Sequence, residues 1–102
     1  MRAVEACGLA PPGGGGAWVE AMYERTHGEY APESFPVNTH GGLLAFGAPW
    51  EVPAMYNIIE ACEQLNGRAA GRQVTGARRA LVYGNGGIFS HSAVAILASP
   101  VD

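Results

Sequence analysis

The sequence predicts an α/β fold, on three observations. Residues 53–66 carry an apolar stripe at helical spacing. Ala80-Leu81-Val82-Tyr83 and Ala93-Val94-Ala95-Ile96-Leu97-Ala98 are short apolar runs with strand character. A glycine-rich reversal, Gly84-Asn85-Gly86-Gly87, separates the two runs. Helix, strand, turn and strand in that order form an αββ unit, which cannot close a large sheet alone.

The helix is the clearest element. Met55, Ile58, Ile59, Cys62 and Leu65 recur every three or four residues and lie on one face, while Asn57, Glu60, Glu63, Gln64 and Asn66 fill the other. Pro53 suits a first turn, where its missing N–H costs nothing, and Gly67 suits the stop. Glu51 stands near the positive end of the helix dipole. The stripe predicts that Cys62 is a core residue. The first strand ends where Asn and Gly favour left-handed backbone, so a hairpin-like reversal follows. The second is nearly continuous in apolar residues, which predicts burial on both faces.

Upstream, residues 1–9 read as the short end of a helix stopped at Gly8. Residues 10–34 are loop-rich. Ala10-Pro11-Pro12-Gly13-Gly14-Gly15-Gly16 combines prolines that block a helix with glycines that resist order, residues 17–23 suit a short helix, and residues 24–34 read as an exposed loop. Phe35 and Val37 have brief strand character.

The stretch Pro36-Val37-Asn38-Thr39-His40-Gly41-Gly42-Leu43-Leu44-Ala45-Phe46-Gly47-Ala48-Pro49 is where a site is expected. A polar triplet with an imidazole meets a glycine pair, and glycine pairs permit positive φ and close approach. The other reading is a tight connection with a surface histidine. His27 and His91 fall in polar loops and read as solvated, and Trp18 and Trp50 as packing groups.

At 102 residues the chain suffices for one small domain. Its 48% hydrophobic and 15% charged residues sit oddly together, because soluble domains carry about 25% charge. Sparse charge predicts apolar surface covered by something else, in a homo- or hetero-oligomer or a longer polypeptide. A net charge of −3 argues against nucleic acid. Arg68, Arg72, Arg78 and Arg79 form a local basic stretch, read first as a solvated helix end and loop and second as a seat for an anionic cofactor tail. Cys7 and Cys62 match no metal spacing and suit reduced, partly buried thiols of a cytoplasmic protein. No apolar run is long enough to span a membrane.

Taken together, Asn38-Thr39-His40-Gly41-Gly42, Gly47-Ala48-Pro49, Gln64-Leu65-Asn66-Gly67, Gly71-Arg72-Gln73-Val74 and the Gly86-Gly87 turn resemble the C-terminal end of thiolases, nearest to the sterol-carrier-protein and lipid-transfer branch. The resemblance runs from about Pro36 to Leu97 and more loosely through residues 1–19. It implies a fold of two similar αβαβα halves, with residues 1–102 an incomplete C-terminal domain of the second. It also implies acyl transfer on a coenzyme A thioester in lipid or sterol metabolism, with no bound cofactor. The acyl-carrying cysteine would belong to an N-terminal half, or a partner subunit, outside this sequence.

This sequence departs from the family pattern at Ala48, where members usually carry the histidine of Gly-His-Pro. A methyl group can neither exchange a proton nor donate a hydrogen bond. The region Tyr83-Gly84-Asn85-Gly86-Gly87 also lacks the thiol that many thiolases place there. The remaining catalytic candidates are His40, Tyr83 and Asn85. Asn38, Gly41, Gly42, Gly47, Pro49, Gly86 and Gly87 are candidates for shaping the acyl-CoA site, with backbone N–H groups near Gly86-Gly87 as a possible oxyanion hole. Two other readings follow from the same resemblance. One is a catalytically degenerate subunit. The other is an aldolase-type carbon–carbon lyase acting on a β-hydroxyacyl-CoA through a tyrosine; Ala48 supplies no phenol, Trp50 and Tyr56 are nearby candidates, and the Tyr83 phenol is a weak acid elsewhere in the sequence.

Overall fold

A computed structural model describes residues 1–26, 32–34, 36–50, 52–87 and 90–100. The chain divides into two units, Met1–Phe35 and Pro36–Asp102.

In the first unit, α1 (Arg2–Ala6) is followed by α2 (Gly15–Thr26). The end of α1 is closed by paired bonds, Gly8 N–H to Glu5 C=O at 2.9 Å and Leu9 N–H to Val4 C=O at 3.0 Å, the Schellman arrangement. The glycine run does not stay wholly loose: Gly15 and Gly16 open α2, which holds the short helix expected at 17–23 and extends it at both ends, from Gly15 to Thr26. The reason is a long-range cap. Glu5 Oε1 accepts the Gly15 N–H at 2.9 Å, at the end of the helix where N–H groups lack internal partners. A Cβ on Gly15 would stand 2.8 Å from that oxygen and 2.9 Å from the Met1 carbonyl oxygen, so only glycine fits.

In the second unit, Pro36 and Val37 form no strand, and Phe35 lies outside the described residues. A turn closes instead, with Gly41 N–H donating to Asn38 C=O at 2.7 Å, and leads into α3 (Gly42–Phe46). Gly41 has φ of 105° and Gly42 of 73°. A Cβ on Gly41 would also meet that of Ala45 at 2.8 Å. The glycine pair is therefore fixed by backbone conformation and by space together.

Helix α4 (Val52–Leu65) matches the predicted helix, and Gly67 and Arg68 close it through bonds back to Gln64 and Glu63. Glu51, the expected dipole partner, lies outside the described residues. A 3₁₀ turn at Ala70–Arg72 follows. Strands β1 (Arg79–Gly86) and β2 (His91–Ala98) then pair antiparallel, from Arg79 opposite Ala98 to Gly86 opposite His91. Gly84, Asn85 and Gly86 extend β1 rather than turn the chain, so the reversal lies beyond them. Helix α4 lies close to both strands, nearer to β1 than to β2.

Burial overturns the expected core. Met55, Ile58 and Ile59 are 54%, 37% and 51% exposed and Cys62 is exposed, whereas Glu60, Ala61 and Gln64 on the other face are buried. Strand β2 is exposed along nearly its whole length instead of buried on both faces. By strand alternation, exposed Leu81, Val94 and Ile96 share one face of the hairpin, and half-buried Ala80, Val82 and Leu97 share the other. Trp50, expected to pack, is 90% exposed. The physical reason is common to all of these. Within this unit α4 and one hairpin do not cover these apolar side chains.

Candidate functional site

The turn carrying His40 is tied to α4 and to the loop after it by a dense polar network. Thr39 is buried, and its hydroxyl donates to Glu60 Oε1 at 2.6 Å. Gln64, one helical turn after Glu60, donates to the same oxygen at 3.0 Å and to the Arg72 carbonyl at 2.7 Å. Arg72 reaches back across the helix end. Its Nε lies 3.3 and 3.2 Å from the two Glu60 oxygens, and its Nη2 lies 2.9 Å from Glu60 Oε2 and 2.8 Å from Glu63 Oε2. Gln73 completes the clasp, donating to the Gln64 carbonyl at 2.9 Å while its oxygen accepts the Ala69 N–H at 3.1 Å.

Burial of Glu60 opposes its ionisation, but hydrogen bonds from Arg72, Thr39 and Gln64, with the Arg72 charge, outweigh it and hold the carboxyl below its ordinary range. Arg72 is therefore not the solvated cation expected of the basic stretch; it is committed to two carboxylates.

His40 is half-buried, and its Nδ1 accepts the Gly42 N–H at 3.2 Å. An accepting Nδ1 places the proton of the neutral imidazole on Nε2. The ring borders a hollow of about 230 Å³ lined by His40, Tyr56, Ile59, Glu60, Glu63 and Arg72. The hollow thus holds an imidazole, a phenol, a guanidinium and two carboxylates on an apolar wall. A second hollow of about 270 Å³ lies along the hairpin, lined by Gly84, Asn85, Gly86, His91, Ser92 and Ala93. Gly84 and Gly86 contribute no side chain there, which opens the space beside His91.

The predicted site residues divide between these places. His40 borders the first hollow and Asn85 and Gly86 the second, and the two share no lining residue. Tyr83 lies within β1, its hydroxyl 3.2 Å from Ser92 Oγ, on the strand face that also carries Asn85. Asn38, Gly41 and Gly42 form the turn that holds His40. Gly47 ends α3 with φ of 80°, and Pro49 accepts the Val52 N–H through its carbonyl at 3.1 Å. Gly87 has φ of 61° just past β1. His91, expected in a loop, is the first residue of β2 and is exposed, its Nδ1 3.0 Å from Ser90 Oγ.

Thr39, Glu60, Gln64 and Gln73 are residues of this network that the sequence does not single out as functional. Their signals are present: Glu60 and Gln64 are one turn apart on the polar face of α4, and Arg72-Gln73 is part of the block that the resemblance rests on. Among the described residues no group of three or more His, Cys, Asp or Glu side chains could hold a metal ion. Nor is any described helix long and apolar enough to cross a membrane.

Comparison with known proteins shows the family. Residues 1–99 match the family described as thiolase C-terminal domain-like. Sterol carrier protein 2 of Oryctolagus cuniculus is 38% identical over 82 residues, covering 80% of this chain and 14% of that protein. The Homo sapiens protein of the same name is 35% identical over the same length. An acetyl-CoA acetyltransferase of Methanothermobacter thermautotrophicus is 35% identical over 98 residues, covering 96% of this chain and 24% of its own. The chain thus spans about a seventh to a quarter of the length of these relatives. With a family match over nearly its whole length and an αββ unit whose His40 turn is clasped to the helix, the chain belongs to the thiolase C-terminal domain-like family.

Proposed function

We propose that this chain forms one wall of the acyl-CoA site of a larger thiolase-like acyltransferase of lipid or sterol metabolism. The thioester-forming cysteine is supplied by polypeptide outside this sequence, either an N-terminal half or a partner subunit. The observation that carries this reading is the pair of uncovered apolar faces. Met55, Ile58 and Ile59 on α4 and Leu81, Val94 and Ile96 on the hairpin are patterned as core, yet they are exposed. At about 25 cal/mol per Å² of apolar surface, faces of this kind favour a covering layer strongly.

Within such a wall, His40 is the group suited to the chemistry. Its Nε2–H can donate to a thioester carbonyl oxygen, stabilising the negative charge that develops there, while Gly42 holds the ring through Nδ1. This is the kind of help that Ala48 cannot give. On this reading Tyr83, Asn85 and the Gly86-Gly87 backbone contribute from the hairpin, whose hollow is separate from that of His40, and Asn38, Gly41, Gly42, Gly47 and Pro49 shape the His40 turn and the segment after it. A carbon–carbon lyase acting on a β-hydroxyacyl-CoA is favoured by one further observation: the Tyr56 phenol borders the same hollow as His40.

The test is thioester turnover by the complete protein. His40→Ala is expected to lower kcat by about 100-fold, the usual scale for one lost oxyanion donor. Unchanged turnover would refute the role of His40. Turnover of an acyl-CoA by this chain alone, without added polypeptide, would refute the shared site. Retro-aldol cleavage that is lost in Tyr56→Phe would decide for the lyase.

A further inference from the structure

We infer that Thr39 is a positioning residue for His40, transmitting the fixed geometry of α4 to the imidazole through the Glu60–Arg72 pair. The inference rests on the functional reading of His40 above and extends it to the residue that aims the ring.

A short turn is a poor platform for a group that must sit within about half an ångström of a reacting atom. The turn at Asn38–Gly41 is built from one backbone bond, with Asn38 at φ of 51° and Gly41 at φ of 105°. Side-chain contacts of two kinds anchor it. One is local: the Gly42 N–H donates to His40 Nδ1 at 3.2 Å and so selects the Nε2–H tautomer. The other is long-range: Thr39 is 8% exposed and its hydroxyl donates to Glu60 Oε1 at 2.6 Å. Gln64 Nε2 also points at that hydroxyl from 3.3 Å, so Thr39 Oγ1 donates to one α4 side chain and accepts from another.

Glu60 and Gln64 cannot drift, because Arg72 and Gln73 grip them from the loop after α4. Helix α4 is therefore tied to a hydroxyl one residue from the imidazole. Valine at 39 would keep the volume of threonine and lose this connection. Serine would keep the connection and lose one methyl group.

The experiment uses the complete protein, labelled with ¹⁵N at histidine, as Thr39→Val, Thr39→Ser and His40→Ala. The wild-type His40 nitrogens should report the Nε2–H tautomer. In Thr39→Val the bias should weaken and the ring signals broaden, with kcat down by about 10- to 100-fold and KM within about twofold, the scale of a misaligned group. Thr39→Ser should restore both. His40 signals identical in wild type and Thr39→Val would overturn the inference. If Thr39→Val does not fold, Glu60→Gln weakens the same hydrogen bond without touching the turn. An unmoved His40 signal there would equally overturn the inference. Activity in His40→Ala reports separately on the role of His40, because the tautomer readout does not depend on turnover.

Discussion

Replacing Arg72 with methionine should be the most damaging single change in the Pro36–Asp102 unit. The substitution keeps the aliphatic length and removes the guanidinium that faces Glu60 and Glu63. The Glu63 carboxylate is 42% exposed and water replaces its partner, so that half of the interaction is worth at most about 1 kcal/mol. Glu60 is different, being 7% exposed with Arg72 nitrogens at 2.9, 3.2 and 3.3 Å. Breaking a buried pair costs about 3–5 kcal/mol. Arg72 is itself partly exposed and Thr39 and Gln64 remain as donors, so a net loss of about 2–3 kcal/mol follows. With a urea slope of about 1 kcal/mol/M for a chain this size, the midpoint should fall by about 2–3 M.

The assay is urea unfolding of this 102-residue chain, to which that slope applies, followed by circular dichroism at pH 7 and pH 4. Glu60 is held below its ordinary value of 4.5 in the folded state, so its contribution to stability is present above that value. The contribution is lost as pH falls through the lowered folded value. A protonated Glu60 has no need of the guanidinium. The gap between wild type and Arg72→Met should therefore be widest at pH 7 and narrow as pH falls. A midpoint unchanged at pH 7, or a gap that widens on acidification, would refute the clasp as a source of stability.

Further predictions concern the rest of the chain. Gly15→Ala should uncouple α1 from α2, because the new methyl meets Glu5 Oε1 and the Met1 carbonyl; loss of helical signal on limited proteolysis of the first unit checks this. Glu5→Gln should weaken the same cap, and the difference from wild type should fade as pH falls through the lowered Glu5 value, read from thermal melts across that range. Ile96→Ser, at a residue 71% exposed, should change the stability of this chain alone by no more than about 0.5 kcal/mol. The same change should cost the complete protein about 2 kcal/mol if the face is covered there, and equal effects in the two would count against a covering layer. Trp50→Gly relieves a bulky residue at φ of 53° and should raise stability by about 1 kcal/mol, measured by thermal denaturation.

The sequence by itself determined the elements that depend on local rules. The 3.6-residue stripe of α4, its glycine stop and the two apolar runs of the hairpin need no partner to be read, because backbone periodicity and turn chemistry are short-range. Several spaced blocks also sufficed for the family, since their order is more specific than any one of them. Two departures from the local reading have causes that a local reading does not contain. A glycine run became the start of α2 because a carboxylate ten residues away caps it, and Gly84-Asn85-Gly86 stayed in β1 because β2 supplies partners that far.

Only the tertiary structure decided which surfaces are inside. Hydropathy named Met55, Ile58 and Ile59 as the inner face of α4, yet Glu60 and Gln64 are the buried residues. The reason is that an amphipathic pattern records where a side chain can be stabilised, not which neighbour is present to do it. In this unit the neighbours of α4 on its polar side are Thr39, Arg72 and Gln73, which satisfy buried polar groups. The placement of His40 is likewise a tertiary fact, since Thr39 and Glu60 are separated by twenty-one residues and meet only when the chain folds.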